Sequence, residues 1–190
     1  MGVIVLERGH ASAVSYPTRG VRAPDGRYER DLVRAYMAVA EDKLHELGHV
    51  VHIVSHGPYR RRWAFAGEAS ADLYVACHLN AGGGNAALVG YDHRSAMGRR
   101  AAEMLRMELH AMPGIARSLS LACNPGGGDH DWSAMYHCIS GVYAAAPGPG
   151  VCLEPAHVDQ PAHLALLDEP SHIGLALARG AHRYLETRRA

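Results

Sequence analysis

The chain has 190 residues, of which 48% are hydrophobic and 20% are charged, and this composition is typical of a single globular domain over residues 1–190. Basic and acidic residues number 19 each, so the net charge gives no support for binding to nucleic acid or to an acidic membrane surface. The four cysteines lie far apart without a C-x-x-C pair, which argues against a thiolate zinc site and favours a reducing compartment.

Strands and helices are predicted to alternate along the chain. Short apolar runs predict strands, and apolar residues at three- and four-residue steps predict helices. The predicted order is strand 3–6, loop 9–27, helix 29–47, strand 50–54, helix 61–71, strand 73–77, strand 87–91, helix 95–112, an irregular stretch 118–150, strand 151–153 and helix 164–187. This alternation predicts an α/β fold, a single domain with a twisted, mainly parallel sheet flanked by helices.

Polar residues that can carry chemistry follow several of the predicted strands. His10, His78 and Glu154 come after the first, third and last strands, and Glu29 opens the first helix. A parallel sheet gathers the carboxyl ends of its strands at one edge, where open α/β sheets place their sites. Two imidazoles and a carboxylate form a zinc site with one position left for water, and a second carboxylate nearby can transfer protons.

Other histidines compete for this site, because the chain contains 14 of them. His130, His137 and His157 are expected near the predicted site, and each could instead be an ordinary hydrogen-bonded loop histidine. His45 and His49 are four residues apart, but Gly48 ends the helix between them, so solvent-exposed histidines are the simpler interpretation.

Several motifs resemble those of the zinc-dependent N-acetylmuramoyl-L-alanine amidases, a family that includes many phage endolysins. Its opening strand and D-P-G-H element are matched by residues 7–10, and its helix-opening glutamate by Glu29. Its most specific element is an Arg followed, after a short spacer, by A-N, then by A-D-L and finally by H-x-N-A. Residues 62–81 follow that spacing without a gap. The strand that leads into V-E-L-G-F is matched by residues 151–155, so the resemblance spans nearly the whole chain.

The resemblance implies a role for each of the four residues. His10, Glu29 and His78 are expected to bind Zn²⁺, and Glu154 is expected to be the catalytic acid and base. The chain departs from the family at Glu7, which replaces Asp and is expected to accept a hydrogen bond from an imidazole N–H. Gly67 replaces an Asn, and residues 118–150 have no counterpart, so Trp132 and Tyr136 are suggested as stacking surfaces for substrate.

The expected activity is hydrolysis of the amide between N-acetylmuramic acid and L-alanine in peptidoglycan. Two alternatives remain open at this point. One is a zinc carboxypeptidase or small N-acyl amino-acid amidohydrolase of related fold, and the other is a wall-binding protein without turnover. The sequence does not indicate an oligomeric state.

The N-terminus lacks the basic start, long apolar stretch and cleavage site of a signal peptide, and no run reaches transmembrane length. Together with the resemblance, this suggests an endolysin that stays in the host cytoplasm until lysis and then acts on the cell wall. No insertion into the membrane is expected.

Overall fold

The computed structural model describes residues 1–10, 19–125 and 132–188, and it describes no side chain for residues 132–134. Six strands form one sheet in the spatial order β2-β1-β3-β6-β4-β5. The strands are β1 (Val3–Arg8), β2 (Val50–Val54), β3 (Leu73–Cys77), β4 (Ala86–Asp92), β5 (Arg117–Cys123) and β6 (Gly150–Glu154). Strands β2, β1, β3 and β6 are mutually parallel, whereas β4 runs antiparallel to β6 and parallel to β5. The predicted α/β class and mainly parallel sheet are thus confirmed.

Helices cover both faces of this sheet. They are α1 (Glu29–Glu46), α2 (Tyr59–Glu68), α3 (Ala96–His110), α4 (Trp132–Ile139), α5 (Val142–Ala145), α6 (Pro161–Asp168) and α7 (Pro170–Thr187). None of the described helices is long and apolar enough to cross a membrane.

Side chains alternate between the two faces of each strand, and this alternation divides the core in two. On β1, Ile4 and Leu6 belong to a core cluster with α1, α3, α6 and α7, whereas Val5 belongs to a second cluster with residues of α2, α4 and α5. Because β3 and β6 are buried on both faces, their sequences are continuous apolar runs rather than alternating ones.

Three predicted elements need correction. Residues 118–150 contain β5, α4 and α5 instead of being irregular throughout, and β5 was missed because it is an edge strand with few buried residues. The single closing helix is in fact two, since Pro170 occupies the first turn of α7 and its ring cannot continue α6. Helix α2 begins at Tyr59 and ends at Glu68, earlier at both ends than predicted.

Candidate metal centre and active site

The carboxyl ends of three neighbouring parallel strands meet at one edge of the sheet. His10 lies two residues beyond the end of β1, His78 directly follows β3, and Glu154 is the last residue of β6. The backbone N–H of His78 donates to the carbonyl of Leu153 at 2.9 Å, which places Glu154 beside His78 in the register of the sheet. The topology therefore brings these chain-distant residues to one edge.

His10, Glu29 and His78 form a compact triad at this edge. One possible ligand atom from each lies within 4.8 Å of the others. His10 Nε2 is 3.5 Å from Glu29 Oε2, and His78 Nδ1 is 3.2 Å from Glu29 Oε1. Zinc bonds of 2.0–2.2 Å in a tetrahedron put neighbouring ligand atoms about 3.4 Å apart. The donor types and these separations fit a zinc ion with little rearrangement.

The carboxylate of Glu29 is fixed by backbone donors. It is buried, with 2% of its surface exposed, and it accepts hydrogen bonds from the N–H groups of Val21 at 3.1 Å and Leu79 at 3.0 Å. Burial raises the pKa of Glu29, but the hydrogen bond from His78 and the charges of His78 and His10 outweigh it and lower the pKa. These contacts favour the ionised form of Glu29. The pKa of His78 is raised in turn, because its contacts with Cys138 and Glu29 outweigh the effect of burial.

The backbone around His10 is specialised. His10 has φ 55°, a left-handed conformation that is uncommon for residues other than glycine and is concentrated at functional sites. At Gly9, a Cβ atom would lie 2.5 Å from Cε1 of His78, so no larger residue fits there without displacing that ring. Burial lowers the pKa of His10, with Glu29 opposing this shift, and the neutral imidazole is the form that binds a metal.

The outer nitrogen of His78 faces a thiol that the sequence did not identify. Cys138 Sγ on α4 lies 3.6 Å from His78 Nε2 and 3.5 Å from the hydroxyl of Tyr59. The hydrogen bond with Cys152 and the charge of His78 lower the pKa of Cys138 against the effect of its burial. Sixty positions separate Cys138 from His78, so no local pattern could have signalled this contact.

Glu7 forms a buried ion pair with Arg62, the arginine at the start of the 62–81 motif. The other oxygen of Glu7, Oε2, lies 3.9 Å from His78 Nε2 and has no hydrogen-bond partner within the described residues. The expected acceptor for the imidazole N–H is thus close to the ring but beyond hydrogen-bond distance.

His137 and His157 do not join the triad, which is the only metal-type cluster within residues 1–10, 19–125 and 132–188. His137 is exposed on α4. His157 is buried after β6, where its backbone N–H donates to His163 Nδ1 at 2.9 Å. His49 is buried and hydrogen-bonded to His182 at 2.9 Å, so the expectation of a solvent-exposed histidine was wrong there.

Two parts of the predicted site lie outside the described residues: His130 and the side chain of Trp132. Tyr136, the other suggested stacking residue, is partly buried on α4, and its hydroxyl accepts a long hydrogen bond of 3.5 Å from Arg94. The suggested role of residues 118–150 in substrate binding therefore stays a prediction.

No protein-family profile matches this sequence, and no curated protein matches it. Solved structures match its fold over nearly the full length. The chain is similar to an N-acetylmuramoyl-L-alanine amidase from Clostridium difficile 630, with a TM-score of 0.77, 17% identity, and 98% of both chains covered.

The second similar structure is the catalytic domain of the amidase CwlV from Bacillus (Paenibacillus) polymyxa var. colistinus, with a TM-score of 0.75 and 18% identity. It covers 98% of this chain and 99% of that one. The catalytic domain of an endolysin that targets C. difficile has a TM-score of 0.70 and 16% identity, with 96% and 98% covered. The chain therefore has the fold of these amidases, with a candidate metal triad at one edge of its sheet.

Proposed function

We propose that the protein is a zinc-dependent peptidoglycan hydrolase that cleaves the amide between N-acetylmuramic acid and L-alanine. The observation that carries this proposal is the triad of His10, Glu29 and His78, at the carboxyl edge of a fold shared with solved N-acetylmuramoyl-L-alanine amidases. Two imidazoles and one carboxylate are the ligand set of catalytic rather than closed structural zinc sites, because the fourth position stays available.

Each side chain has a role in the proposed reaction. Zinc held by the triad would polarise the substrate carbonyl and bring the pKa of water towards neutrality. Glu154, beside His78 in the sheet, would accept the proton of the attacking water and return it to the leaving nitrogen of L-alanine. The backbone donors to Glu29 and the contacts of His78 would hold the ligands in place during this transfer.

We also propose an endolysin-like role, in which the protein is held in the host cytoplasm until lysis exposes the wall. Its support is the similarity to the endolysin catalytic domain. Expression in a bacterial cytoplasm should be harmless until the membrane is permeabilised, and lysis without permeabilisation would contradict this part of the proposal.

The activity is tested by incubating the zinc-loaded protein with purified peptidoglycan and quantifying new L-alanine amino termini. We expect release by the wild type and a 10²- to 10⁴-fold lower rate for Glu154→Gln, about the usual contribution of a general acid or base. The matched control is Glu46→Gln, since Glu46 is exposed at the end of α1 and pairs only with Lys43 in the described structure.

Two results would contradict the proposal. Turnover of a small N-acyl amino acid without release from peptidoglycan would indicate the amidohydrolase alternative. Wall binding that is unaffected by Glu154→Gln, without any turnover, would indicate a wall-binding protein.

A further inference from the structure

Arginines are concentrated in the segment that contains His10 and Glu29 of the triad, although the whole chain has as many acidic as basic residues. Six arginines fall between positions 8 and 34: Arg8, Arg19, Arg22, Arg27, Arg30 and Arg34. Some have partners, such as Arg27, which pairs with Asp25 and Asp168. In the described part of the chain, Arg8 and Arg34 have no carboxylate within salt-bridge distance.

Arg8 has an unsatisfied donor. It is the last residue of β1, and the alternation along the strand places it on the same face as Leu6, towards α1. Its Nε is buried and has no hydrogen-bond acceptor within the described residues. A buried donor without an acceptor is costly, and a bound anion would supply that acceptor.

A cavity opens at these two arginines. It has a volume of about 180 Å³, and Arg8 and Arg34 line it together with the apolar side chains of Met37 and Ile53. This volume is below the range of whole small-molecule pockets, so it suits a single residue of a longer ligand. Glu41 also lines it, so the cavity carries two guanidinium groups and one carboxylate.

The cavity lies within reach of a peptide whose scissile amide is at the triad. Arg8 ends β1 two residues before His10, and Arg34 lies five residues, about 7.5 Å, along α1 from Glu29. An extended peptide advances roughly 3.4 Å per residue. A carboxylate one or two residues beyond the scissile bond can therefore reach the guanidinium groups of Arg8 and Arg34.

We propose that Arg8 and Arg34 form a subsite for a free carboxylate of the peptide stem. This inference rests on the proposed function, because it takes the triad as the position of the scissile amide. Guanidinium groups suit this ligand, since they bind carboxylates through paired, charge-assisted hydrogen bonds. The apolar wall of the cavity would contact the methylene groups of the same residue.

The test uses two synthetic probes: N-acetylmuramoyl-L-alanyl-D-glutamate and the same compound with both carboxylates amidated. Their dissociation constants are measured by calorimetry in the Glu154→Gln background, where turnover is suppressed. We expect at least a tenfold preference for the dicarboxylate, weakened by added salt. Arg34→Gln should remove this preference, and because Arg34 is exposed the variant should fold normally. Arg99→Gln, an exposed arginine on α3, is the matched control.

Equal binding of the two probes, no binding of either, or a preference that survives Arg34→Gln would overturn the subsite. These outcomes are distinct from failure of the proposed function. Release of L-alanine termini without carboxylate preference would contradict the subsite alone. A carboxylate preference that depends on Arg34 in a protein without amidase activity would contradict the function alone.

Discussion

The candidate site depends on close contacts that only particular residues allow. Gly9 is the clearest case, because a methyl group there would lie 2.5 Å from Cε1 and 2.6 Å from Nδ1 of His78. The adjacent His10 has a positive φ, so the chain uses uncommon backbone geometry at the point where it delivers an imidazole. The cost of such geometry, of order 1–3 kcal/mol, is consistent with selection for a ligand position.

Gly9→Ala should lower zinc affinity by at least 10-fold, because the new methyl group pushes the His78 ring out of position. Zinc affinity is measured by competition with a chelator of known strength. Gly2→Ala is the control just before β1, since its Cβ would meet no part of the triad but the side chains of Leu185 at 3.0 Å and Asp72 at 3.3 Å. Equal zinc affinity of Gly9→Ala and the wild type would show that the ring position is not critical.

Cys138→Ser should also weaken zinc binding, by on the order of 10-fold, as is usual when the partner of a ligating histidine is lost. The shorter hydroxyl cannot maintain the contact that Sγ makes with Nε2 of His78 at 3.6 Å. Cys77→Ser is the matched control, because Cys77 is also buried but its thiol donates to the carbonyl of Val75 instead of facing the His78 ring. A similar loss of zinc affinity in both variants would indicate general core damage.

At the scale of elements, a fully buried strand was predicted accurately from the sequence, whereas a strand with few buried residues was missed. Strand β3 is buried at all five positions, so its apolar run was recognised with correct bounds. Strand β5 has only two buried residues among seven. Its sequence alternates between serine and leucine only over residues 118–121, which is too short a pattern to have been recognised. The break between α6 and α7 was missed because the apolar periodicity continues across Pro170.

The turn from β4 into α3 gives a pH-dependent prediction. Asp92 accepts hydrogen bonds from the backbone N–H of Arg94 at 3.0 Å and from its guanidinium at 2.6 Å. Burial raises the pKa of Asp92, but these hydrogen bonds and the Arg94 charge outweigh it and lower the pKa from 3.8. Since the folded-state pKa is depressed, the stabilisation is present above the unfolded-state pKa and is lost as the pH falls through the folded-state pKa.

Asp92→Asn should therefore lower the free energy of unfolding by about 1–2 kcal/mol at pH 7. The difference from the wild type should shrink progressively below pH 3.8. Urea denaturation at pH 7 and at successively lower pH values measures this. The control is Asp42→Asn, an exposed position on α1. A constant difference at all pH values would mean that the carboxylate charge contributes nothing.

At the scale of the whole molecule, sheet topology explains why residues far apart in the sequence form one site. The strand order places β1, β3 and β6 side by side and parallel, so residues at their carboxyl ends meet without any local motif. The alternation of strands and helices predicted this edge. The alternation could not predict which side chains of the flanking helices lie near this edge. Neither Cys138 nor the cavity at Arg8 and Arg34 has a sequence signature.

The most direct test of the account is the zinc content of the purified protein and of His78→Ala, measured by elemental analysis after dialysis against trace zinc. The account predicts about one zinc per chain in the wild type and almost none in His78→Ala. His182→Ala, which alters a histidine that pairs with His49 far from the triad in the sequence, should retain the metal. A wild-type protein without bound metal, or a His78→Ala variant that keeps its zinc, would contradict the assignment of the triad.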